Sequence, residues 1–181
     1  MSGCKLTSNI TKENCEYSLA GIKAIYLFNY DADNLCPLDT DGAVESITLA
    51  DNTLKVHKID FVDNTASFSD ELAVNGNGGK YRTHTVNFTI SNYDYNLLNQ
   101  ERALSLGKFT AVVVDKSNKG VMLGRNNGLS ATAFNYASGA AESDAIGWTV
   151  TMAGTETEMG PLLESEAVIK DLVAPDAVVT P

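Results

Sequence analysis

The feature that most constrains this chain is a strict alternation of polar and apolar residues that follows a cluster of asparagine and glycine at residues 75–79. The apolar positions are Val86, Phe88 and Ile90, and the polar positions on the other face are Thr85, Asn87 and Thr89. A period of two, with one solvent-exposed face and one buried face, is typical of an antiparallel, half-buried strand. Because Asn and Gly tolerate positive φ, the cluster predicts the loop of a β-hairpin.

Further runs of β-branched and aromatic residues predict strands on both sides of this hairpin. The run GIKAIYLFNY is apolar at nearly every position, which predicts a strand that is buried on both faces. The runs FTAVVVD and GVMLGR are expected to pair across KSNK, and GWTVTMAGTE alternates with Trp148, Val150 and Met152 directed inward. The remaining candidates are AVESITLA and TLKVHKIDFV around Asp51-Asn52, ASFSDELAVNG, and a short strand within NNGLSATAFNYASG.

Only one segment has the signals of a good helix. Asp94 can cap its first turn, Leu97 and Leu104 can share one face, and Gly107 fits just beyond its end. These signals predict a helix at about residues 94–106. About eight to ten short strands at hairpin spacing predict a mainly β protein, an antiparallel β-sandwich or half-barrel with this one flanking α-helix. A parallel α/β sheet would need several crossover helices.

The length of 181 residues suits one domain with a sizeable core. We expect residues 1–154 to form this single β-rich domain, with an irregular N-terminal segment. Residues 155–181 are acidic and contain prolines that disfavour one continuous element. We expect them to form a C-terminal arm or tail that orders only against a neighbour. No stretch approaches the roughly 20 apolar residues of a membrane span, and no apolar run predicts a signal peptide.

The formal net charge is −10. This charge argues against a surface that grips nucleic acid, because such surfaces neutralise phosphates with Lys and Arg. It does not exclude a nucleic acid that passes by without sticking, because like charges repel.

No set of residues in the sequence predicts catalysis, a cofactor or a bound metal. His57 and His84 each lie in a predicted strand without a catalytic motif, so we interpret both as surface histidines. The cysteines lack metal-ligand spacing and are expected to be ordinary reduced thiols; they are Cys4, Cys15 and Cys36. We therefore predict that the protein is not an enzyme, and we assign it no catalytic, cofactor-binding or metal residues.

Two loops invite comparison with known ligand loops. The segment Asp31–Asp41 is rich in Asp, but aligning Gly42 with the glycine of the common calcium loop puts Pro37 first and Thr48 last, so the match fails. Turn-forming Asp residues are the simpler interpretation, and an irregular calcium site stays open as an alternative. The glycines of residues 76–79 precede a strand rather than a helix, which favours a hairpin tip over a phosphate loop.

Several segments in a fixed order carry a resemblance to a known family. They are the strand NGNGGKYRTHTVNFTI, the helix YDYNLLNQERALSLGKF, the hairpin after it, the segments GLSATAF and SGAAESDAIG, and a closing strand that ends in Gly-x-Glu. From Tyr81 to Gly154 this order resembles the tail-tube family of small bacteriophage virion proteins. The resemblance implies a β-sandwich or half-barrel of tail-tube type. It also implies that sheets of several copies join edge to edge into a homo-oligomeric ring, usually of six.

The same resemblance implies a place and partners for the protein. Such rings stack into a tail tube or join a head–tail connector, so we expect localisation in the virion, after assembly in the bacterial host cytoplasm. Adjacent tail or connector proteins are the expected partners, and double-stranded DNA would pass through the lumen on ejection. Extended loops and arms contact the next ring in this family, and the candidates here are residues 63–80 and 155–181. The long Asp loop and the irregular tail depart from the simplest tube proteins.

A second hypothesis is a β-sandwich binding module, such as a carbohydrate- or calcium-binding adhesin-like domain. It is based on the Asp31–Asp41 loop and on a set of aromatic residues. These are Tyr17, Tyr30, Tyr93, Tyr95 and Trp148.

Overall fold

A computed structural model describes residues 6, 8–10, 19–91 and 93–175 of the chain. Its strands are β1 (Ile22–Asn29), β2 (His57–Ile59), β3 (Ser67–Val74), β4 (Lys80–Ile90), β5 (Lys108–Asp115), β6 (Gly120–Leu123), β7 (Leu129–Ala137) and β8 (Gly147–Glu156). Its helices are α1 (Tyr95–Leu106) and the short α2 (Ala167–Lys170). None of the helices in these described ranges is long and apolar enough to cross a membrane.

The strands form one antiparallel sheet in the order β2-β1-β5-β7-β8-β4-β3, with β6 paired to β5 beside this path. Both predicted hairpins are present: β3 pairs with β4 around residues 75–79, and β5 pairs with β6 around residues 116–119. The predicted helix is confirmed as α1, because the Asp94 Oδ1 atom accepts the Leu97 N–H at 2.8 Å as a cap. The prediction of a mainly β, antiparallel fold with a flanking helix is therefore confirmed.

β1 is buried on both faces, as its apolar run predicts. Ile25 and Leu27 belong to one apolar cluster, whereas Tyr26 and Phe28 belong to a second cluster on the opposite face of the sheet. β5 divides its side chains in the same way. A strand with two apolar faces needs a cover on each face, since exposed apolar area is costly in water. The two covers account for the rest of the architecture.

The first face is covered because the sheet curls round on itself. Phe68 lies on the last strand of the order and Ile59 lies on the first, yet both pack against the cluster that contains Ile25. Val86, Phe88, Val150 and Met152 fill the middle of this cluster from β4 and β8. α1 contributes Leu104 to the same side but has no fully buried residue of its own. The sheet is therefore a half-barrel around the first cluster.

The second face is covered by chain segments rather than by strands. The run AVESITLA was predicted as a strand, but residues 34–50 make only isolated bridges: Leu35 with Thr48, Leu38 with Val44, and Val44 with Leu163. The apolar residues of this run are nevertheless buried, because Val44, Ile47 and Leu49 pack on the second cluster. The run is thus a covering segment and not a sheet strand, which is a correction of the prediction.

The segment after β8 supplies the other half of this cover. We expected residues 155–181 to be an arm outside the domain, whereas residues 155–156 belong to β8 and residues 157–175 pack against the same chain. The Leu163 N–H donates to the Gly120 carbonyl at 2.8 Å, and the Val56 N–H donates to the Leu172 carbonyl at 3.1 Å. Leu163 and Ile169 are buried in the second cluster. Residues 176–181 lie outside the described part, as does most of the predicted irregular N-terminal segment.

Adjacent leucines in this segment provide a test of its packing. Leu163 is buried in the second cluster, whereas Leu162 is 50% exposed. We expect Leu163→Ala to lower the free energy of unfolding by about 2–5 kcal/mol, because it leaves a cavity in a packed core. Leu162→Ala should change it by about 0.5 kcal/mol or less. Urea unfolding of both variants measures the difference, and equal small effects would mean that the segment does not cover the domain in solution.

Candidate assembly edge and the polar cluster behind it

β3 is the last strand of the sheet order, and in the described part of the chain it pairs only with β4. It is eight residues long, and its exposed apolar side chains are Leu72 and Val74, at 57% and 59% exposure. A long edge strand with exposed apolar residues is a template for another strand unless something covers it. We call the outer side of Ser67–Val74 the β3 edge.

The hairpin register shows which backbone groups face away from β4. The Asn75 N–H donates to the Gly79 carbonyl at 2.9 Å, and Ala73 is paired with Tyr81. Bonded and non-bonded pairs alternate along an antiparallel ladder, so the N–H and C=O groups of Leu72 and Val74 point outward. Among the described residues these outward groups have no partner. At Leu72 and Val74 the β3 edge therefore presents free backbone donors and acceptors, whereas the outward Asp70 carbonyl accepts the Arg82 Nη2–H at 3.2 Å.

The opposite edge of the sheet is better protected. β2 has only three residues, and Val56 just before it already bonds to the C-terminal segment. The Val56 carbonyl accepts the Ala174 N–H at 2.8 Å. Lys58 lies within β2, with its Nζ 3.8 Å from the Asp60 Oδ1. β2 is short and carries a lysine, so like charges oppose the pairing of two β2 edges, and the two edges of this sheet are not equivalent.

Behind the β3 edge, the Asp70 carboxylate joins three parts of the fold. Its Oδ1 accepts the Arg82 Nε–H at 2.5 Å, and its Oδ2 accepts the Gly160 N–H at 3.0 Å. Burial by itself would raise the pKa of Asp70, but the hydrogen bonds from Arg82 and Gly160, together with the charge of Arg82, hold that pKa below its ordinary value. Asp70 thus stays ionised and ties the edge strand to β4 and to the C-terminal segment.

His84 is part of this cluster, so the prediction that it lies on the surface is wrong. It is 1% exposed, and its Nδ1 accepts the Gly124 N–H at 3.2 Å. An Nδ1 that accepts a hydrogen bond leaves the proton of the neutral ring on Nε2, which lies 3.4 Å from the Asp70 Oδ1 but is not aligned for a hydrogen bond. His57 is exposed on β2, as predicted.

Glu156 holds the loop that follows β6 against the same end of the sheet. It is 1% exposed, and its Oε1 accepts the N–H groups of Asn126 and Asn127 at 3.1 and 2.8 Å. The loop can approach this closely because residue 154 is a glycine; a Cβ there would lie 2.2 Å from the Gly128 carbonyl oxygen. Beside it, the Arg125 Nη1 lies 2.7 Å from the Glu158 Oε1.

The side chains of this cluster contact other parts of the fold. His84 and Glu156 are buried, and the partners of Asp70 are an arginine and a backbone amide. The sequence contains a signal for the cluster that we missed. Arg82 and His84 have the same parity as Val86 and Phe88, so they occupy the inward face of β4. Charged residues at inward positions of a strand require partners inside the fold.

A second notable surface lies at the other end of β4, where aromatic rings gather. The Tyr93 and Trp148 rings stack with centroids 5.5 Å apart, and Tyr136 contacts both of them. Phe134 stacks on the inner side of Trp148, at 4.7 Å. Tyr93 is 58% exposed, so the group presents a ring face to solvent. We call these four residues the aromatic patch.

The aromatic patch contains only two of the five aromatic residues on which the binding-module hypothesis was based. Tyr93 and Trp148 are together, whereas the Tyr30 hydroxyl donates to the Asn126 carbonyl elsewhere, and Tyr17 is outside the described residues. Tyr95 is exposed at the start of α1. The predicted inward direction of Val150 and Met152 is confirmed, and Trp148 is half-buried beside them.

The Asp loop is organised by hydrogen bonds of its own carboxylates. The Asp31 Oδ1 accepts the Asp33 N–H at 2.9 Å, and the Asp39 Oδ1 accepts the Asp41 and Ala43 N–H groups, both at 2.8 Å. These are turn-forming contacts. Across the described ranges no group of three His, Cys, Asp or Glu side chains is placed to hold a metal ion.

Of the three cysteines, only Cys36 lies in the described part of the chain, whereas Cys4 and Cys15 lie outside it. Cys36 is half-buried, and this burial raises the pKa of its thiol despite the nearby Arg125 charge.

Comparisons with known proteins found no match to this chain. No protein-family model matches the chain, and neither a curated protein nor a solved structure matches it.

The Asp70 contacts predict a specific dependence of stability on pH. Because the folded pKa of Asp70 is below the ordinary value of 3.8, its contribution is complete above the unfolded pKa and is lost as pH falls through the folded pKa. We expect Asp70→Asn to lower the free energy of unfolding by about 1–3 kcal/mol at neutral pH. The difference in unfolding free energy between D70N and the wild type should shrink as the pH falls from neutral to below the ordinary Asp pKa of 3.8, and urea unfolding at a series of pH values measures it. Asp63→Asn, at an exposed residue, is the control, and parallel curves for D70N and wild type would contradict the assignment.

Proposed function

We propose that the protein is a structural component of a bacteriophage virion that assembles into a ring. The ring would belong to a tail tube or to a head–tail connector or other tail ring, and it would form a conduit for DNA ejection. The observation that carries this proposal is the uncovered β3 edge, with outward backbone groups and exposed Leu72 and Val74. A free edge of this kind is satisfied when identical neighbours complete the sheet.

The charges at the two edges support head-to-tail pairing of copies. Glu71 lies on the β3 edge, whereas Lys55 and Lys58 lie at the β2 edge, and all three are exposed. Pairing of two different edges is heterologous, and a heterologous contact closes into a ring when the rotation between copies fits. Such pairing would use β2 from His57 onward, because Val56 is already bonded to the C-terminal segment.

The acidity of the chain supports a conduit rather than a DNA-binding surface. A net charge of −10 repels the phosphates of double-stranded DNA, so DNA could pass a lumen without adhering. The resemblance to tail-tube proteins suggests six copies in the ring, contacts with adjacent tail or connector proteins and a place in the virion. On this proposal the protein acts by assembly and not by catalysis.

Edge-blocking substitutions test the proposal. We expect the double variant Leu72→Lys with Val74→Lys to remain folded, because both side chains are exposed, but to lose ring formation since charged residues on an edge oppose strand addition. Negative-stain microscopy and mass photometry of the wild type and the variant measure the rings directly. Leu106→Lys is the matched control, because Leu106 is 76% exposed on α1, away from the β3 edge.

Two outcomes would count against the ring. One is a wild type that stays monomeric at high concentration while no ring containing it is recovered from virions. The other is an edge variant that assembles as well as the wild type. If the Leu106→Lys control lost rings to the same extent, the loss would not be specific to the β3 edge.

The aromatic patch favours one alternative, a carbohydrate-binding module. Exposed rings such as Tyr93 and Tyr136 can present apolar faces with a polar tip, which is the composition of many binding surfaces. If this is the function, a glycan array should detect a ligand, and Tyr93→Ala should abolish its binding while the fold is retained. A calcium-binding form of this alternative would raise the melting temperature in calcium, since ligands of the native state stabilise it.

A further inference from the structure

The chain contains three Asn–Gly peptide bonds, and the structure places them in different surroundings. Two are at the tip of the β3–β4 hairpin, Asn75-Gly76 and Asn77-Gly78, and the third is Asn127-Gly128 after β6. An Asn–Gly bond is the dipeptide most open to intramolecular attack on the Asn carboxamide, because glycine has no side chain to shield its backbone nitrogen. Each bond is therefore a chemical candidate, and folding decides which can react.

The third bond is held at both of its reactive ends. The Asn127 Nδ2 donates to the Thr155 carbonyl at 3.0 Å, and the Asn127 N–H donates to the Glu156 carboxylate at 2.8 Å. Gly128 is buried against Tyr30, where an added Cβ would lie 2.8 Å from the ring. Rotation of this carboxamide towards the Gly128 nitrogen would break its bond to Thr155, while Glu156 and Tyr30 hold the backbone in place, so the folded state protects the Asn127–Gly128 bond.

The first hairpin bond is restrained by the turn that it builds. The Asn75 Oδ1 accepts the Asn77 N–H at 3.1 Å and the Gly79 N–H at 2.8 Å, so its carboxamide is a cap for the loop. These two bonds fix the carbonyl carbon that would be attacked. Asn75 can react only after the hairpin tip has opened.

The middle bond lacks this restraint. Asn77 is exposed, and among the described residues no group bonds its carboxamide. The Gly78 N–H donates to the Asn75 carbonyl at 3.0 Å, a single turn bond at a solvent-exposed tip, and Gly78 already has a φ of +79°. One local opening therefore frees the nucleophile while the electrophile is free throughout.

We propose that Asn77 is a site of spontaneous deamidation in the folded protein, and that Asn75 and Asn127 are protected. In this reaction the Gly78 backbone nitrogen gives its proton to solvent and bonds to the Asn77 Cγ, while the Cγ–Nδ2 bond breaks and the Nδ2 takes up a proton from solvent and leaves as ammonia. Water then opens the resulting succinimide, at one carbonyl to give aspartate and at the other to give isoaspartate. No oxidant, metal or enzyme is required.

The product changes the tip in two physical ways. Each conversion adds a negative charge to the exposed tip, next to the exposed Lys80. Isoaspartate also adds one carbon to the backbone within the loop that sets the β3–β4 register, so the hairpin bond between Asn75 and Gly79 must adjust. The inference does not depend on the proposed ring, because it concerns the single chain.

Peptide mapping of aged protein tests the proposal. The purified chain is incubated in mildly alkaline buffer at physiological temperature, and fragmentation mass spectrometry locates the mass increase of amide-to-acid exchange. We expect conversion at Asn77, with labelling by isoaspartyl methyltransferase, and conversion at Asn75 and Asn127 at least about tenfold slower, since those need larger local openings. The chain in denaturant is the reference, where all three bonds should convert at similar rates.

Two variants separate the sites within the tip. Asn77→Gln should remove conversion there, because the longer side chain would have to close a larger and slower ring. Asn75→Asp keeps the accepting Oδ1 and removes the other Asn–Gly bond, so it should retain conversion at Asn77. Folded protein that converts Asn75 or Asn127 as fast as Asn77, or that leaves Asn77 intact while the denatured chain converts it, would overturn the proposal.

Discussion

The rest of the fold depends on the need to cover both faces of β1 and β5. A sheet usually leaves one face to water, but here apolar residues occupy both. Curling of the sheet brings Phe68 and Ile59 over the first face. The second face is covered by residues 34–56 and by the segment after β8, which carries buried Leu163 and Ile169. The C-terminal segment is therefore part of the core and not an appendage.

The curled sheet leaves β3 as an edge strand, and the polar cluster fixes the position of the β3 edge. An edge strand bonded on one side is free to shift or fray. Asp70 opposes this, because its carboxylate is held by Arg82 on the neighbouring strand and by the Gly160 amide. Leu72 and Val74 are thus held in a fixed register, which the proposed pairing with another copy would require.

The sequence predicted what depends on local pattern and missed what depends on distant partners. The alternation of β4, the two-faced run of β1 and the Asp94 cap are local, and the structure has all three. The cover formed by residues 157–175 was missed because its apolar residues meet several partners in turn and so follow no period. His84 was placed on the surface because its partners, Asp70 and Gly124, are far away along the chain. The parity of Arg82 and His84 with Val86 was the available clue.

The bond from Gly160 to Asp70 has a mechanical consequence. A force applied along β3 would be transmitted through Asp70 to the backbone at residue 160, which leads within three residues to Leu163 in the second cluster. A force along β3 would therefore be resisted by the Asp70–Gly160 bond and by the second cluster, in addition to the hydrogen bonds between β3 and β4. In the proposed ring, this connection would oppose separation of neighbouring copies along the β3 edge.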